Sequence, residues 1–287
     1  MPNIKEIRTK IHSIQSTQKI TRAMEMVAAS KMRKSQQRMQ ASRPYLQRVK
    51  EVVNHLIHGQ LEYKHSYLAL RPEKTAIFII ISSERGLCGG LNINLFKEAI
   101  QKMRELEKNG VVVKVCTIGK RAESFFVHYK ANVFASKKNI GDAPKMQDLI
   151  GIMKVALDAF DAGETDSVYL CYNKFISTLV QQPQVALLLP IMDTQNSKHG
   201  NWDYIYEPDA VSLLDVLLHR YIETLIYNGA VENVACEQAA RMVAMKNASD
   251  NADELIENLK LVYNKARQAA ITNEILEIVG GAEALNS

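Results

Sequence analysis

The sequence has 287 residues, of which 47% are hydrophobic and 23% are charged, and its formal net charge is +5. This composition excludes a disordered chain, and the length allows one large domain or two small ones. The longest apolar run, at residues 76–81, is far too short to cross a bilayer, and cations interrupt residues 1–25, so no signal peptide is predicted. The four cysteines lie far apart without a CxxC pair, which argues against structural zinc and disulfides and favours a cytoplasmic, reducing compartment.

Charge is distributed unevenly along the chain. Residues 1–58 hold twelve Lys and Arg against three acids, a balance of +9, and residues 209–287 hold six against twelve, a balance of −6. The two ends therefore carry opposite charge. The electrostatic pattern favours their association, although each exposed pair contributes little.

The N-terminal segment, residues 1–58, predicts one long helix. Residues of one stripe recur in alternating steps of three and four over about seven heptads, the spacing of a coiled-coil seam. Pro44 is expected to kink the helix or to break it after Arg43. The stripe consists of Ile4, Ile7, Ile11, Ile14, Gln18, Thr21, Glu25, Ala28, Met32, Ser35, Met39, Ser42, Leu46, Val49, Val53 and Leu56.

The central segment, residues 59–208, changes its period. Apolar runs of strand length alternate with amphipathic helical runs, which predicts a Rossmann-like α/β domain with a mostly parallel sheet. The last two strands are expected to pair as a hairpin. Strands are predicted at 75–83, 111–119, 131–136, 166–175 and 184–191, and helices at 91–106, 120–129 and 146–163.

The stretch "ISSERGLCGGLN" (81–92) joins a predicted strand to a helix through a glycine-rich turn. Such a turn can hold a phosphate at a helix N-terminus, but the stretch matches neither G-x-G-x-x-G nor the Walker lysine motif. Cys88 could be an activated thiolate. A structural turn is favoured over a ligand or partner contact and over catalysis, and the scattered histidines predict no metal site.

The C-terminal segment, residues 209–287, predicts a second long helix that Gly280 and Gly281 limit. Its stripe contains Tyr227, Val231, Val234, Gln238, Arg241, Met245, Ala248, Ala252, Leu255, Leu259, Val262, Ala266, Ala269, Asn273 and Leu276. Helices of this length need packing for stability, so we expect the two to form an antiparallel coiled coil. With Leu56 set beside Asp209, Thr21 falls near Ala244, Ile4 falls near Leu261, and the polar layer around Thr21 meets Gln238 and Arg241.

Two functions are compatible with these patterns: an α/β enzyme that uses Cys88, and a basic coiled-coil protein that binds nucleic acid. The cations of the N-terminal helix surround a seam and lack interleaved aromatics before Tyr45, which favours a solvated coiled-coil flank over nucleic-acid binding. The methionines Met24, Met26, Met32 and Met39 are typical of core filling, and they also suit a surface that accepts changing neighbours.

Several longer motifs resemble the gamma subunit family of the F-type, proton-translocating ATP synthase, in its bacterial form. They are "ITRAMEMVAASKMRKSQQRM", "ERGLCGGLN", "WDYIYEP" and "EQAARMVAMKNASDNADELIENLKLVYNKARQAAITNEILEIVGGAEAL", and they cover nearly the whole chain in order. The resemblance implies a rotor shaft inside a ring of alternating alpha and beta subunits. It also implies contacts with the epsilon subunit and the membrane-embedded c-ring, and a peripheral location on the cytoplasmic face of the bacterial inner membrane.

The same resemblance implies that the chain couples proton-driven rotation to ATP synthesis on the beta subunits, without a catalytic group or cofactor of its own and without binding nucleic acid. Arg267, Gln268 and Thr272 match positions that contact a beta-subunit loop, and Met24 matches a position that faces beta. Tyr204 and Glu207 match the base that approaches the c-ring and epsilon. The cysteine-bearing regulatory segment of the chloroplast form is absent here, so thiol regulation is not expected.

Overall fold

The computed structural model describes residues 4–58, 65–192 and 210–286, and it describes side chains within 4–54, 65–192 and 213–281. Within these described ranges, ten helices and strands follow one another, with a short 3-10 turn at Ser66–Leu68 before the first strand. They are α1 (Ile4–His58), β1 (Thr75–Ile81), α2 (Leu91–Lys108), β2 (Val112–Ile118), α3 (Lys120–His128), β3 (Val133–Lys137), α4 (Met146–Asp161), β4 (Ser167–Phe175), β5 (Gln181–Leu189) and α5 (Ala210–Asn286).

The five strands form one sheet in the order β3-β2-β1-β4-β5. The pairs β1–β2, β1–β4 and β2–β3 are parallel, and β4–β5 is antiparallel, so the predicted hairpin and the mostly parallel sheet are both confirmed. Chain order reverses beside β1, because β2 lies on one side of it and β4 on the other. In open α/β sheets of this type, the carboxyl ends of the strands at such a point are where ligands commonly bind.

Alternate residues of β1 face opposite sides of the sheet, as the period of a strand requires. Ala76, Phe78 and Ile80 pack with residues of α2 and α3 in one buried cluster. Ile77, Ile79 and Ile81 belong to a second cluster, which contains residues of α4, α1 and α5. The long helices therefore supply part of one layer of the α/β core.

The chain divides into two compact units. Unit 1 contains Met1–Ala28 and Met242–Ser287, and unit 2 contains Ala29–Arg241. Unit 2 holds the sheet, its helices and the adjoining parts of α1 and α5. Unit 1 consists, in its described part, of two helical segments.

In unit 2, α5 approaches the sheet closely at Gly229. A Cβ placed on this glycine would lie 3.4 Å from side-chain atoms of Ile81, Leu170 and Tyr172. Glycine inside a helix costs about 1 kcal/mol relative to alanine. Packing of the flanking residues Ile226 and Ala230, both in the core, offsets that cost.

Two predicted helix ends are wrong, the break after Arg43 and the limit at Gly280 and Gly281, whereas the alternative of a kink at Pro44 stays a prediction. The α1 helix continues through Pro44 without a break, since Leu46, Val49 and Val53 beyond it pack on the core and offset the cost of a proline, about 3 kcal/mol. The α5 helix likewise continues through Gly280 and Gly281, where a Cβ would meet nothing within 4 Å, and ends at Asn286. Among the described residues, none of the helices combines the length and apolarity that a bilayer span requires.

Candidate functional site

Ser83 and Asn92 hydrogen-bond to each other across the glycine-rich turn between β1 and α2. The Asn92 side chain accepts a hydrogen bond from the Ser83 backbone N–H (3.2 Å) and donates one to the Ser83 hydroxyl (2.7 Å). The Ser83 hydroxyl in turn donates to the Arg85 carbonyl (2.7 Å). The polar side chains of Ser83 and Asn92 are therefore occupied by each other and by the Arg85 carbonyl, which favours a structural role for them.

Helix α5 covers this turn on its inner side. Cys88 and Leu91 form a small buried cluster with Cys236 of α5. The Arg241 guanidinium donates to the Gly86 carbonyl (3.2 Å from Nη2) and to the Glu237 carboxylate. The edge of the sheet where an α/β enzyme would place its ligand is thus packed against a helix.

Cys88 lacks the environment of a reactive thiolate. Its side chain is buried, and burial raises the pKa of the thiol, an effect that the neighbouring Ser83 hydroxyl and Arg241 only partly oppose. Low-pKa cysteines instead sit in exposed, electropositive surroundings. The four cysteines are free and buried, and the described residues include no group of three or more His, Cys, Asp and Glu that could hold a metal.

In unit 1, α1 and α5 pack side by side in antiparallel directions. The hydroxyls of Thr21 and Ser249 lie 2.7 Å apart, and the Gln18 amide donates to the Asp253 carboxylate. Residue numbers rise on one helix as they fall on the other, which confirms the antiparallel pair. Each hydroxyl also lies within hydrogen-bond distance of a carbonyl in its own helix.

The predicted register of this pair is wrong by about one helical turn. Thr21 contacts Ser249, which lies five residues beyond the predicted neighbour Ala244. Gln238 contacts Asp142 and Arg241 contacts Gly86, so neither belongs to the polar layer of Thr21. The prediction takes its register from the base of the helices, whereas hydrogen-bonding side chains and small residues along the seam determine it.

The seam of α1 matches its prediction at every described position from Ile4 to Val53, because each is buried or half-buried. In unit 1 the predicted seam of α5 is confirmed at five positions and displaced by one residue at three others. The confirmed positions are Met245, Ala252, Leu259, Ala266 and Ala269, the displaced ones are Ala248, Leu255 and Val262, and the predicted Asn273 and Leu276 are exposed. Ser249 and Ile256 are buried there, whereas the predicted Ala248 is half-buried and Leu255 is 52% exposed. The observed stripe passes through Met245, Ser249, Ala252 and Ile256. Its steps of three and four residues alternate as predicted, but in the opposite order.

The predicted contact residues of the described chain are all exposed. They are Met24 on α1 and Arg267, Gln268 and Thr272 on α5. Large apolar side chains near the end of α5 are exposed as well: Ile271, Ile275, Leu276, Ile278 and Val279. Contiguous exposed apolar residues are typical of an interaction surface. Tyr204 and Glu207 lie outside the described residues.

Comparisons with known proteins agree over almost the full chain. A family described as ATP synthase matches residues 3–285. An ATP synthase gamma chain from Nitrosococcus oceani is 54% identical over 289 aligned positions, covering 99% of this chain and 100% of that protein.

Solved structures share the fold at lower identity. A chain from the Euglena gracilis mitochondrial ATP synthase, in rotational state 3, has a TM-score of 0.68 at 20% identity and covers 98% of this chain and 94% of its own. A chain from the rotor of the same enzyme in rotational state 1 has a TM-score of 0.66 at 18% identity, and the match covers 93% of this chain and 98% of that chain. A chain from the central stalk and c-ring structure of Tetrahymena thermophila mitochondrial ATP synthase has a TM-score of 0.58 at 23% identity. That match covers 80% of this chain and 99% of that chain.

Proposed function

The chain belongs to the ATP synthase gamma-chain family, and we propose that it acts as the central shaft of a bacterial F-type ATP synthase. In this role it couples proton-driven rotation of the c-ring to ATP synthesis on the beta subunits. It supplies no catalytic group itself. The 54% identity to a bacterial gamma chain over its full length is the observation that carries the proposal.

The geometry of unit 1 suits a shaft that turns past successive partners. Its two helices bury one narrow stripe and leave the remaining faces accessible. The apolar residues at the end of α5, from Ile271 to Val279, are exposed at 48 to 66%. Burial of such side chains against a partner is favourable, at roughly 25 cal/mol per Å² of apolar area. The ring of alpha and beta subunits is the partner that we assign to this surface.

Contacts with a beta-subunit loop are assigned to Arg267, Gln268 and Thr272, and a contact facing beta to Met24. Gln268 and Thr272 are four residues apart and share one face of α5. All four side chains are exposed, as a partner contact requires. Met24 is uncharged and flexible, which suits a surface whose neighbour changes.

The base is assigned to the segment that contains Tyr204 and Glu207, which we propose to approach the epsilon subunit and the c-ring. The chain then divides into a coiled-coil helix at 1–58, an α/β domain at 59–208 and a second coiled-coil helix at 209–287. Membrane association is indirect, through the c-ring, at the cytoplasmic face of the inner membrane. The similarity to the Euglena rotor and to the Tetrahymena central stalk and c-ring structure supports this arrangement.

Reconstitution tests the shaft directly. Purified alpha and beta subunits mixed with this chain should gain ATPase activity, whereas the chain alone should show no turnover. A matched mixture that contains a chain truncated after Ala240 lacks the helix pair of unit 1 and serves as the control. Equal activity with and without the full chain would refute the proposal, and turnover by the isolated chain that is lost in Cys88→Ala would favour the enzyme instead. Steeply salt-dependent binding of the isolated chain to DNA would favour the nucleic-acid hypothesis.

A further inference from the structure

Asp142 lies in the loop between β3 and α4 and contacts both long helices. Its Oδ2 atom is 2.6 Å from Nζ of Lys31 on α1, and its Oδ1 atom accepts a hydrogen bond from Nε2 of Gln238 on α5 (3.2 Å). Its backbone carbonyl accepts a further bond from Nη1 of Arg38 (3.0 Å). One residue of the α/β domain thus joins α1 to α5 within unit 2.

The loop that carries Asp142 is held to the sheet by a second acidic residue. The Glu84 carboxylate, just after β1, accepts hydrogen bonds from the backbone N–H of Lys120 (3.3 Å) and of Ile140 (3.2 Å). These contacts join the loops that follow β1, β2 and β3. Gly141 supports the turn, because its φ of +69° lies in the region that glycine adopts without strain.

Asp142 keeps this position at an electrostatic cost. Its negative charge contributes to the raised pKa of Glu237, for which burial is the main cause. Gln238 is 1% exposed, so loss of its acceptor would leave a buried donor amide unpaired. Lys31 and Arg38 are seven residues apart, two turns on one face of α1, and both reach the same residue.

We propose that Asp142 is a positioning residue for coupling, which fixes both helices to the α/β domain so that a twist applied to the domain reaches the two helices together. This inference rests on the proposed shaft function. The acidic loop residue, two cations of α1 and the buried amide of α5 form a clasp, defined by Asp142, Lys31, Arg38 and Gln238. The clasp contributes to the torsional stiffness of the rotor and takes no part in the chemistry on the beta subunits.

The test uses the complete complex of this chain with alpha and beta, fixed to a surface. A bead attached to the α/β domain through Glu98→Cys reports the angular variance of the stalled rotor. Asp142→Ala should raise that variance, because thermal angular variance increases as torsional stiffness falls and the substitution removes the carboxylate that Lys31 and Gln238 share. The matched control is Glu105→Ala, which removes a carboxylate whose ion pair, with Lys102, lies within its own helix, and it should leave the variance unchanged.

Charge exchange separates a specific contact from a general loss of stability. Lys31→Asp alone should raise the variance, and Lys31→Asp combined with Asp142→Lys should restore it toward the wild-type value. Equal variance in Asp142→Ala and wild type, or a double variant as loose as the single ones, would overturn the positioning role. Failure of the wild-type chain to support ATPase would instead refute the shaft.

The isolated chain provides an arm that does not depend on the complex. In Asp142→Ala, the backbone amides of residues 138–145 should exchange faster with solvent, which hydrogen exchange of the isolated chain measures. In the wild-type chain, an amine-to-carboxylate crosslink between Lys31 and Asp142 tests the contact itself. The wild-type chain should crosslink there and the Lys31→Asp variant should not. Absence of that crosslink in wild type would also contradict the clasp.

Discussion

Helix α5 is built by different physical means in the two units. Between Tyr221 and Ala239, in unit 2, almost every residue is buried or half-buried, including apolar, amide and acidic side chains. Between Glu257 and Gly281, in unit 1, most residues are exposed. The first part packs against the core on most of its sides, whereas the second part is buried along one narrow stripe only. Most of the surface of the second part is therefore left for partners.

Matched Leu→Ala substitutions on α5, one in unit 2 and one in unit 1, should produce the largest difference in stability between the two units. Leu218 is 0% exposed and belongs to the core, whereas Leu255 is 52% exposed. Leu218→Ala should lower the free energy of unfolding by about 2 to 5 kcal/mol through lost burial and a cavity, and Leu255→Ala by no more than about 0.5 kcal/mol. Urea unfolding of the isolated chain, followed by circular dichroism, measures both. Similar losses of unfolding free energy in the two variants would contradict this difference between the units.

Loss of a partner contact should affect the complex and not the isolated chain. Arg267→Ala should lower the ATPase rate of the reconstituted complex about fivefold, as expected for an interface residue worth about 1 kcal/mol or more. Its unfolding curve should be unchanged because the side chain is exposed. Lys265→Ala, a neighbouring exposed cation, is the control. An unchanged rate for Arg267→Ala would remove this residue from the assigned contacts.

The register of the pair in unit 1 can be sharpened with a double-mutant cycle. Thr21→Val and Ser249→Ala should couple by about 0.5 to 1 kcal/mol, because their hydroxyls contact each other. Thr17→Val with Ser249→Ala is the control, since the Thr17 hydroxyl bonds within its own helix. Thermal unfolding of the full chain gives the four stabilities. Additive effects of Thr21 and Ser249 would contradict the observed register.

The smallest expected effect is a change in the pH dependence of the free energy of unfolding, and it comes from Glu237. Burial raises its pKa in the native state, although Arg241 opposes the shift. As pH rises above the pKa of the unfolded carboxyl, the unfolded state loses its proton first, so wild-type stability falls relative to Glu237→Gln until the native carboxyl ionises. Below that range both states hold the proton and the difference is constant. Unfolding free energies of both proteins between about pH 4 and about pH 8 check the sign, and a wild-type stability that rises with pH relative to Glu237→Gln would contradict it.

The sequence predicts much of the fold because its periodic signals are strong. Apolar runs of strand length mark β1 to β5, and the alternating steps of α1 lead to the correct seam because the isoleucines at 4, 7, 11 and 14 set its phase. On α5 the apolar and small residues are dense enough to support two phases, which is why periodicity alone puts Leu255 on the seam in the position that Ile256 occupies.

Tertiary contacts explain what the sequence could not predict. Pairing of Thr21 with Ser249 depends on the relative shift of two helices distant in sequence, for which periodicity carries no information. Asp142 belongs to no motif, and the motif "ERGLCGGLN", which begins at Glu84, carries no information about what the Glu84 side chain contacts. Their contacts with Lys31 and Ile140 arise only when the loops at the carboxyl edge of the sheet come together.

Gly229 leaves α5 without a side chain where the helix packs on the sheet, and this limits the residues that relatives of this chain can have at that position. A methyl group would just reach van der Waals contact there, and any longer side chain would collide with Ile81, Leu170 or Tyr172. A larger residue at 229 should therefore occur only together with a smaller one at 81, 170 or 172. We expect these four positions to change in a correlated way, which aligned sequences of the family can reveal without any experiment on the protein.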